Sequence, residues 1–308
     1  MPHTLAIDKF MELPDEDVAQ LIRPSMTCLL GINGSTRWFY LENPMIKTTP
    51  YEQFLRTYTA VTSQRLAEVC EMLFRHGVHT VLIPVLNQTL FDGRNPEYAR
   101  MMCRALPNIT SGGVMDDLYT KYAVRVGFYG AYENALLSSG DDDLLDSFAH
   151  TIDTTHKNDK RQILWGVFAQ DEVTAAIDLS IKSYEKHHRY PSEADLIASY
   201  YGFHVSPVDM YITSGKPRLF DAPFVMNGQT DMYFMVPPSL YLSRNVFRRI
   251  LFDHLYSRRG EKDYGELNQV GWSSMKQFYQ SRMDTIMGVG EIHPDWKTWF
   301  PDCEVSSI

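Results

Sequence analysis

The sequence predicts an α/β fold: a mainly parallel central sheet of about six strands, flanked by helices. Two observations carry this. Six short apolar runs recur along the 308 residues, and the segments between them show helical rather than strand periodicity. Runs so short and so uniformly apolar suit strands covered on both faces, as parallel strands are. Strand–helix–strand repetition then implies right-handed crossovers.

The elements follow in order. Met26–Ile32 (MTCLLGI) reads as the first strand and Val78–Val85 (VHTVLIPV) as the second. Val124–Tyr129, Ile163–Phe168, Asp209–Thr213 and Met232–Val236 supply four more. From Tyr51 the apolar residues fall at Tyr51, Phe54, Leu55, Tyr58, Val61, Leu66, Val69 and Leu73, close to a 3.6-residue period. His76-Gly77 is a good stop for that helix. Asp171–Tyr184, Ser192–Tyr201 and Ser243–Tyr256 also read as helices, the last with Arg244, Arg248 and Arg249 along it. The hydrophilic stretch Ser138–Lys160 reads as a surface loop around a short helix. The strands on either side of it have the same character, so residues 1–308 are expected to form one domain.

Composition narrows the function. Hydrophobic residues make up 44 % and charged residues 22 %, which excludes a disordered tail or a fibrous repeat. Lys and Arg number 29 against 38 Asp and Glu, a net charge of −9 that does not suit nonspecific nucleic-acid binding. Eighteen Tyr and 16 Phe can line a large apolar cavity or fill a core. Cys28, Cys70, Cys103 and Cys303 form no CxxC pair, so neither a zinc knuckle nor a thioredoxin-type site is supported. Met1–Phe10 lacks a basic-then-apolar signal pattern, and no apolar run reaches the roughly 18 residues of a membrane span. A cytoplasmic protein with reduced cysteines is expected.

Two strand-end turns could carry chemistry. In a parallel sheet, ligands bind beyond the carboxyl ends of the strands. The first strand ends in Asn33-Gly34-Ser35-Thr36-Arg37. Glycine there lets backbone approach a phosphate, the amides of Gly34, Ser35 and Thr36 begin the next helix, and Arg37 adds positive charge. Alone, this is also an ordinary strand-to-helix turn. The fifth strand ends in Thr213-Ser214-Gly215-Lys216-Pro217-Arg218, which lacks Walker-loop spacing. Together the two turns would make an anion pocket, with Lys216 and Arg218 joining Arg37. His187-His188 fits a helix end and His254 a satisfied interior histidine. No GxSxG elbow or HExxH is present.

The turn NGSTRW resembles the DGNGRW signature of cis-prenyltransferases, the undecaprenyl diphosphate synthase family, and TDMYF (Thr230–Phe234) resembles their AELYF segment. TRWFYLE (Thr36–Glu42), WGVFAQD (Trp165–Asp171), YYGFHV (Tyr200–Val205), DMYITSGKPRLFDAPF (Asp209–Phe224), RRILFDHLY (Arg248–Tyr256) and MGVGEIH (Met287–His293) are similar to a divergent branch that uses a cyclic diterpenyl diphosphate. The resemblance spans nearly the whole chain. It implies a six-stranded parallel sheet with a hydrophobic tunnel, usually a homodimer. It also implies an enzyme that ionises an allylic diphosphate and passes the carbocation to a nucleoside such as adenosine, or to water.

The departures from the family pattern set the expectations for the site. Where the family has a magnesium-binding aspartate, this chain has Asn33, and an amide is a weaker ligand for Mg2+ than a carboxylate. Asp231 lies where ordinary members carry a magnesium-binding glutamate, so any Mg2+ is expected to lean on Asp231 and the substrate's own phosphates. Tyr51 matches a pocket tyrosine of the divergent branch. The first arginine of the RTGG…RLSN stretch that holds isopentenyl diphosphate is Thr213 here, and Arg218 survives. Losing that charge argues against chain elongation and for a neutral acceptor, water or cyclisation. The expected catalytic set is Asn33, Arg37 and Tyr51, with Gly34, Ser35, Thr36, Lys216 and Arg218 binding substrate. Asn33 also leaves open a non-catalytic partner subunit; a long-chain polyprenyl synthase ranks last because of Thr213.

Overall fold

The six apolar runs form one sheet. A computed structural model describes residues 6–302 apart from 49, 87–95, 134–135, 137–141, 170, 220–221 and 260–266. Strands β1 (Thr27–Leu30), β2 (Thr80–Leu86), β3 (Val124–Tyr129), β4 (Arg161–Val167), β5 (Met210–Ser214) and β6 (Asp231–Met235) lie in the order β3-β4-β2-β1-β5-β6. Every neighbouring pair is parallel.

Parallel neighbours need long crossovers, and helices supply them. Helices α1 (Ile7–Glu12) and α2 (Asp15–Gln20) precede β1, while α3 (Ser35–Glu42) and α4 (Tyr51–Arg75) lead to β2. Next come α5 (Pro96–Thr110) and α6 (Val114–Tyr122) before β3, and α7 (Asp142–Thr155) before β4. Helices α8 (Glu172–His187) and α9 (Glu193–Tyr201) lead to β5; α10 (Arg244–Phe252) and α11 (Gln269–Gln280) follow β6. A short antiparallel pair, β7 (Gly290–Ile292) and β8 (Trp299–Pro301), comes last. Local chemistry sets the boundaries. Asp171 caps α8 through Thr174 N, Ser192 and Asp195 form a capping box on α9, and α4 stops before Gly77 at φ +93°.

Side chains alternate across the sheet. Cys28, Leu30, Val81, Ile83, Val126, Ile163, Trp165 and Ile212 pack into the larger core, against α4 residues such as Leu66, Val69 and Leu73. Leu29, Leu82, Leu164 and Tyr211 face the other way, onto Ile197 and Tyr201 of α9 and the segment around Val205 and Val225. One expectation needs correcting. Much of Ser138–Lys160 is the 14-residue helix α7, which buries Leu144 and Phe148; the Phe148 ring stacks on Phe128 of β3 with centroids 3.9 Å apart. The Asp run hid a Leu144–Phe148–Ile152 stripe at i, i+4, i+8.

A buried charge cluster ties the amino-terminal helices to the body. Asp15 accepts from Arg248 and Arg244, each at 2.8 Å, and pairs with Arg75 at 3.0 Å. Burial alone would raise the Asp15 pKa, but the Arg244 hydrogen bond and the nearby cations hold it below the usual range. His76 is fully buried, and desolvation lowers its pKa despite Asp15 Oδ1 at 3.4 Å. Its partners agree with a neutral ring: Nδ1 lies 2.8 Å from Met72 O, and Nε2 accepts from Arg248 Nε at 3.1 Å. His79 is also held low by burial.

The sign of the pH effect follows from these shifts. Unfolded His76 and His79 take up protons below about pH 6.5, which the folded forms resist. Stability therefore declines as pH falls through that value, by up to about 1.4 kcal/mol per unit for each histidine. Urea midpoints between pH 7.5 and 5.5 are expected to show this slope, and His76→Gln is expected to reduce it.

Candidate active site

Strand order alone locates a crevice. The chain leaves β1 for β2 on one side, and β5 later pairs with the other side of β1. Loops beyond the carboxyl ends of β1 and β5 therefore diverge at a switch point, where open parallel sheets bind ligands.

Hydrogen bonds lock the loops there together. The Asn33 side-chain Nδ2 donates to Ser214 O at 2.5 Å, and Ser214 Oγ donates to Asn33 O at 3.1 Å. Thr213 Oγ1 donates to Gly31 O at 2.9 Å. A third segment, after β6, closes the clasp: Ser239 Oγ donates to Gly31 O at 2.8 Å, and Ser239 N donates to Asn33 O at 3.1 Å. The hydroxyl-bearing residues Thr213, Ser214 and Ser239 are all buried. Gly215, at φ +78°, lies so close that a Cβ would sit 3.1 Å from Asn33 Nδ2.

The cradle forms on this clasp. Gly34 is left-handed at φ +75°, and α3 starts immediately after it. The first bond of that helix runs from Trp38 N to Gly34 O, so the Ser35 and Arg37 amides have no intrahelical acceptor. Thr36 is already engaged. The Arg37 guanidinium folds back over Gly34: a Cβ there would lie 2.7 Å from its NH2 group and 3.3 Å from Pro238. Lys216 and Arg218 stand exposed on the adjoining turn, which Tyr211 anchors by donating its hydroxyl to Arg218 O at 2.8 Å. Among the described residues, no ion pair involves Arg37, Lys216 or Arg218. Two turns far apart in sequence thus present three cations with no counter-ion among the described residues.

An aromatic wall adjoins the cradle. Ser35 Oγ lies 3.0 Å from Tyr58 OH on α4. Phe54 stacks between Tyr58 and Tyr40, with centroids 5.9 and 5.6 Å away, and Phe39 meets both Phe54 and Tyr58 edge-on. The i, i+3, i+7 spacing of Tyr51, Phe54 and Tyr58 could have flagged this wall. Ser239 gave no such signal. Tyr51 itself is 48 % exposed, two helical turns before Tyr58.

Two expectations fail. Asp231 opens β6 opposite Met210, whereas Ser214 pairs with Met235 at the far end. Four residues of strand separate the two, about 13 Å, so Asp231 stands at the amino edge of the sheet. There His254 Nδ1 binds it at 2.6 Å and Arg258 NH1 approaches at 3.4 Å. It is not a metal ligand beside Asn33. The donors at the cradle do not fit a protein-held Mg2+ either: Asn33 offers a neutral amide oxygen in place of a carboxylate, the hydroxyls are spent on backbone oxygens, and no described carboxylate joins them. Neither of two cavities among the described residues adjoins the cradle. One of about 360 Å³ lies along edge strand β3 against α8 and α9, and one of about 350 Å³ lies beside Tyr233 and Arg258 near the other edge.

No family model matches the chain. Over 301 residues, however, it is 30 % identical to tuberculosinyl adenosine transferase of Mycobacterium tuberculosis (strain CDC 1551 / Oshkosh), covering 96 % of this chain and 97 % of that one. The chain belongs to the cis-prenyltransferase superfamily. It is also 21 % identical over 300 residues to (+)-kolavelool synthase of Herpetosiphon aurantiacus, covering 96 % of each. Two solved structures share the fold at low identity. Lavandulyl diphosphate synthase of Lavandula x intermedia matches 79 % of this chain and 98 % of its own, with TM-score 0.60 at 13 % identity. A probable undecaprenyl diphosphate synthase of Campylobacter jejuni matches 79 % and 99 %, with TM-score 0.53 at 14 % identity. This cis-prenyltransferase homologue is thus an enzyme of the terpenyl transferase and terpene synthase kind.

Gly34 makes a direct test of the cradle. Alanine there strains a left-handed residue by about 1–2 kcal/mol and displaces the Arg37 guanidinium. Gly34→Ala is expected to weaken inorganic diphosphate binding at least about tenfold by calorimetry, the loss of roughly one charge-assisted hydrogen bond.

Proposed function

We propose that this enzyme ionises an isoprenoid diphosphate of C15–C20 length, linear or already cyclised, and delivers the carbocation to a neutral acceptor, a nucleoside or water, or to an internal double bond. Three cations on one clasped pair of loops, with no counter-ion among the described residues, in a chain of net charge −9 support this reading. The activities of the two relatives, one a tuberculosinyl adenosine transferase and one a kolavelool synthase, support a diterpenyl substrate.

The chemistry is economical. The allylic carbon–oxygen bond breaks and its electron pair leaves with the diphosphate. The acceptor's lone pair then forms the new bond, and its proton passes to diphosphate or solvent. The protein must stabilise the departing anion. Preorganised donors in a site shielded from water do this best, each contributing about 3 kcal/mol. Arg37, the amides of Gly34 and Ser35, Lys216 and Arg218 would serve. The ring face of Tyr51 would meet the cation, worth roughly 0.5–2 kcal/mol. Asn33 is no base, since its amide does not titrate. Thr213 is neutral and bonded to Gly31 O, so a second diphosphate would lack a cation there.

The apolar tail would run along the Phe39–Phe54–Tyr58 wall. A homodimer would cover exposed carboxyl-terminal side chains such as Phe278, Tyr279 and Met287. Among the described residues no helix is long and apolar enough to cross a membrane, in keeping with a cytoplasmic location.

The test is a substrate panel. Farnesyl, geranylgeranyl and bicyclic diterpenyl diphosphates, with and without adenosine, are expected to release diphosphate and give a terpenyl product by mass spectrometry. Arg37→Ala is expected to lower kcat on the accepted substrate about 10²–10³-fold. Radiolabelled isopentenyl diphosphate should not be incorporated. No turnover on any substrate would overturn the proposal.

A further inference from the structure

At position 33 the fold calls for a hydrogen-bond donor. The Nδ2 group of Asn33 lies 2.5 Å from the Ser214 carbonyl, and that carbonyl belongs to the backbone where β5 ends. Around it the Asn33 main chain is held on both sides, its N–H donating to Ser239 Oγ at 3.1 Å and its C=O accepting from Ser214 Oγ and Ser239 N, each at 3.1 Å. Gly215 lies close against this amide, where an added Cβ would sit 3.1 Å from Nδ2. A carboxylate has the shape of this amide but only acceptor atoms. In its place, two oxygens would face each other at hydrogen-bond distance with no proton between them, which costs more than simply losing the bond.

We infer that Asn33 is a positioning residue specific to this chain: its amide clasps the β1 and β5 loops so that Arg37 and Lys216 meet one diphosphate, and it replaces metal ligation rather than imitating it. The substitution of Asn for the family's Asp is then not a damaged metal site. It marks a cradle that recognises diphosphate through cations and amides of the protein, with no divalent ion held by a side chain. A carboxylate at position 33 would open the clasp and not restore a metal centre. The part of this inference that concerns diphosphate rests on the function proposed above; the clasp does not.

Calorimetry with inorganic diphosphate, in EDTA and in excess Mg2+, tests it on wild type, Asn33→Asp and Asn33→Ala, with melting temperatures alongside. Wild type is expected to bind at least as tightly in EDTA as in Mg2+, because a magnesium diphosphate complex brings less charge to the cations. Asn33→Ala is expected to fold, melt below wild type and bind at least about tenfold more weakly. Asn33→Asp is expected to melt below Asn33→Ala and to show no Mg2+-dependent gain in affinity. If Asn33→Asp melts at or above wild type, or acquires tighter binding on adding Mg2+, the inference is wrong. Should Asn33→Asp not fold at all, Asn33→Ala still decides: unchanged melting and affinity would overturn the clasp. Wild type that binds no diphosphate in either buffer would refute the proposed function, while the order of melting temperatures would still decide the clasp.

Discussion

The hydrogen bond from the Asn33 amide to the Ser214 carbonyl joins two loops that strand order would otherwise let diverge. Everything proposed for the site depends on that junction. Gly34 and Gly215 are the residues whose lack of a side chain allows the approach, one beneath the Arg37 guanidinium and one beneath the Asn33 amide. Ser239 then closes the arrangement from a third segment, so three loops share a small set of buried polar atoms. Buried polar groups that are fully satisfied hold one geometry firmly. Here they hold backbone and cations in place before any ligand arrives, which a preorganised anion site requires.

The charge distribution has its own logic. The chain is acidic as a whole, and several of its other arginines are spent on carboxylates: Arg248 and Arg244 on Asp15, Arg258 on Asp253 and Asp231. Among the described residues no carboxylate pairs with Arg37, Lys216 or Arg218. Like charges brought together repel, so such a grouping persists most readily where it serves a polyanion. The acidic remainder of the surface would discourage nucleic acid from competing for it.

Much of this was legible in the sequence. Each of the six strands was found to within a few residues, because apolar runs bounded by turn residues have few other readings. Helices α4 and α9 announced themselves through the Tyr51–Leu73 stripe and the Ser192 cap. Helix α7 did not, since its acidic residues outnumber the three apolar positions that bury it. At the site, both turns could be read, but the Asn33–Ser214 bond could not: it depends on β5 lying next to β1, and residue spacing does not reveal strand order. The misplacement of Asp231 is more instructive. A motif match says where in the chain a residue lies, not which edge of the sheet it occupies. That Asp231 begins a strand, and so sits at the amino edge of a parallel sheet, was available from the sequence itself.

The most direct measurement of the central claim is a crystal structure with a thio-substituted, unreactive farnesyl diphosphate analogue. The account predicts one diphosphate group bridging the β1 and β5 loops, its oxygens within hydrogen-bond distance of the Arg37 guanidinium and the Ser35 amide, with the tail along Phe54 and Tyr58. A diphosphate seated instead in the cavity beside β3, or against Asp231 and His254, would contradict it.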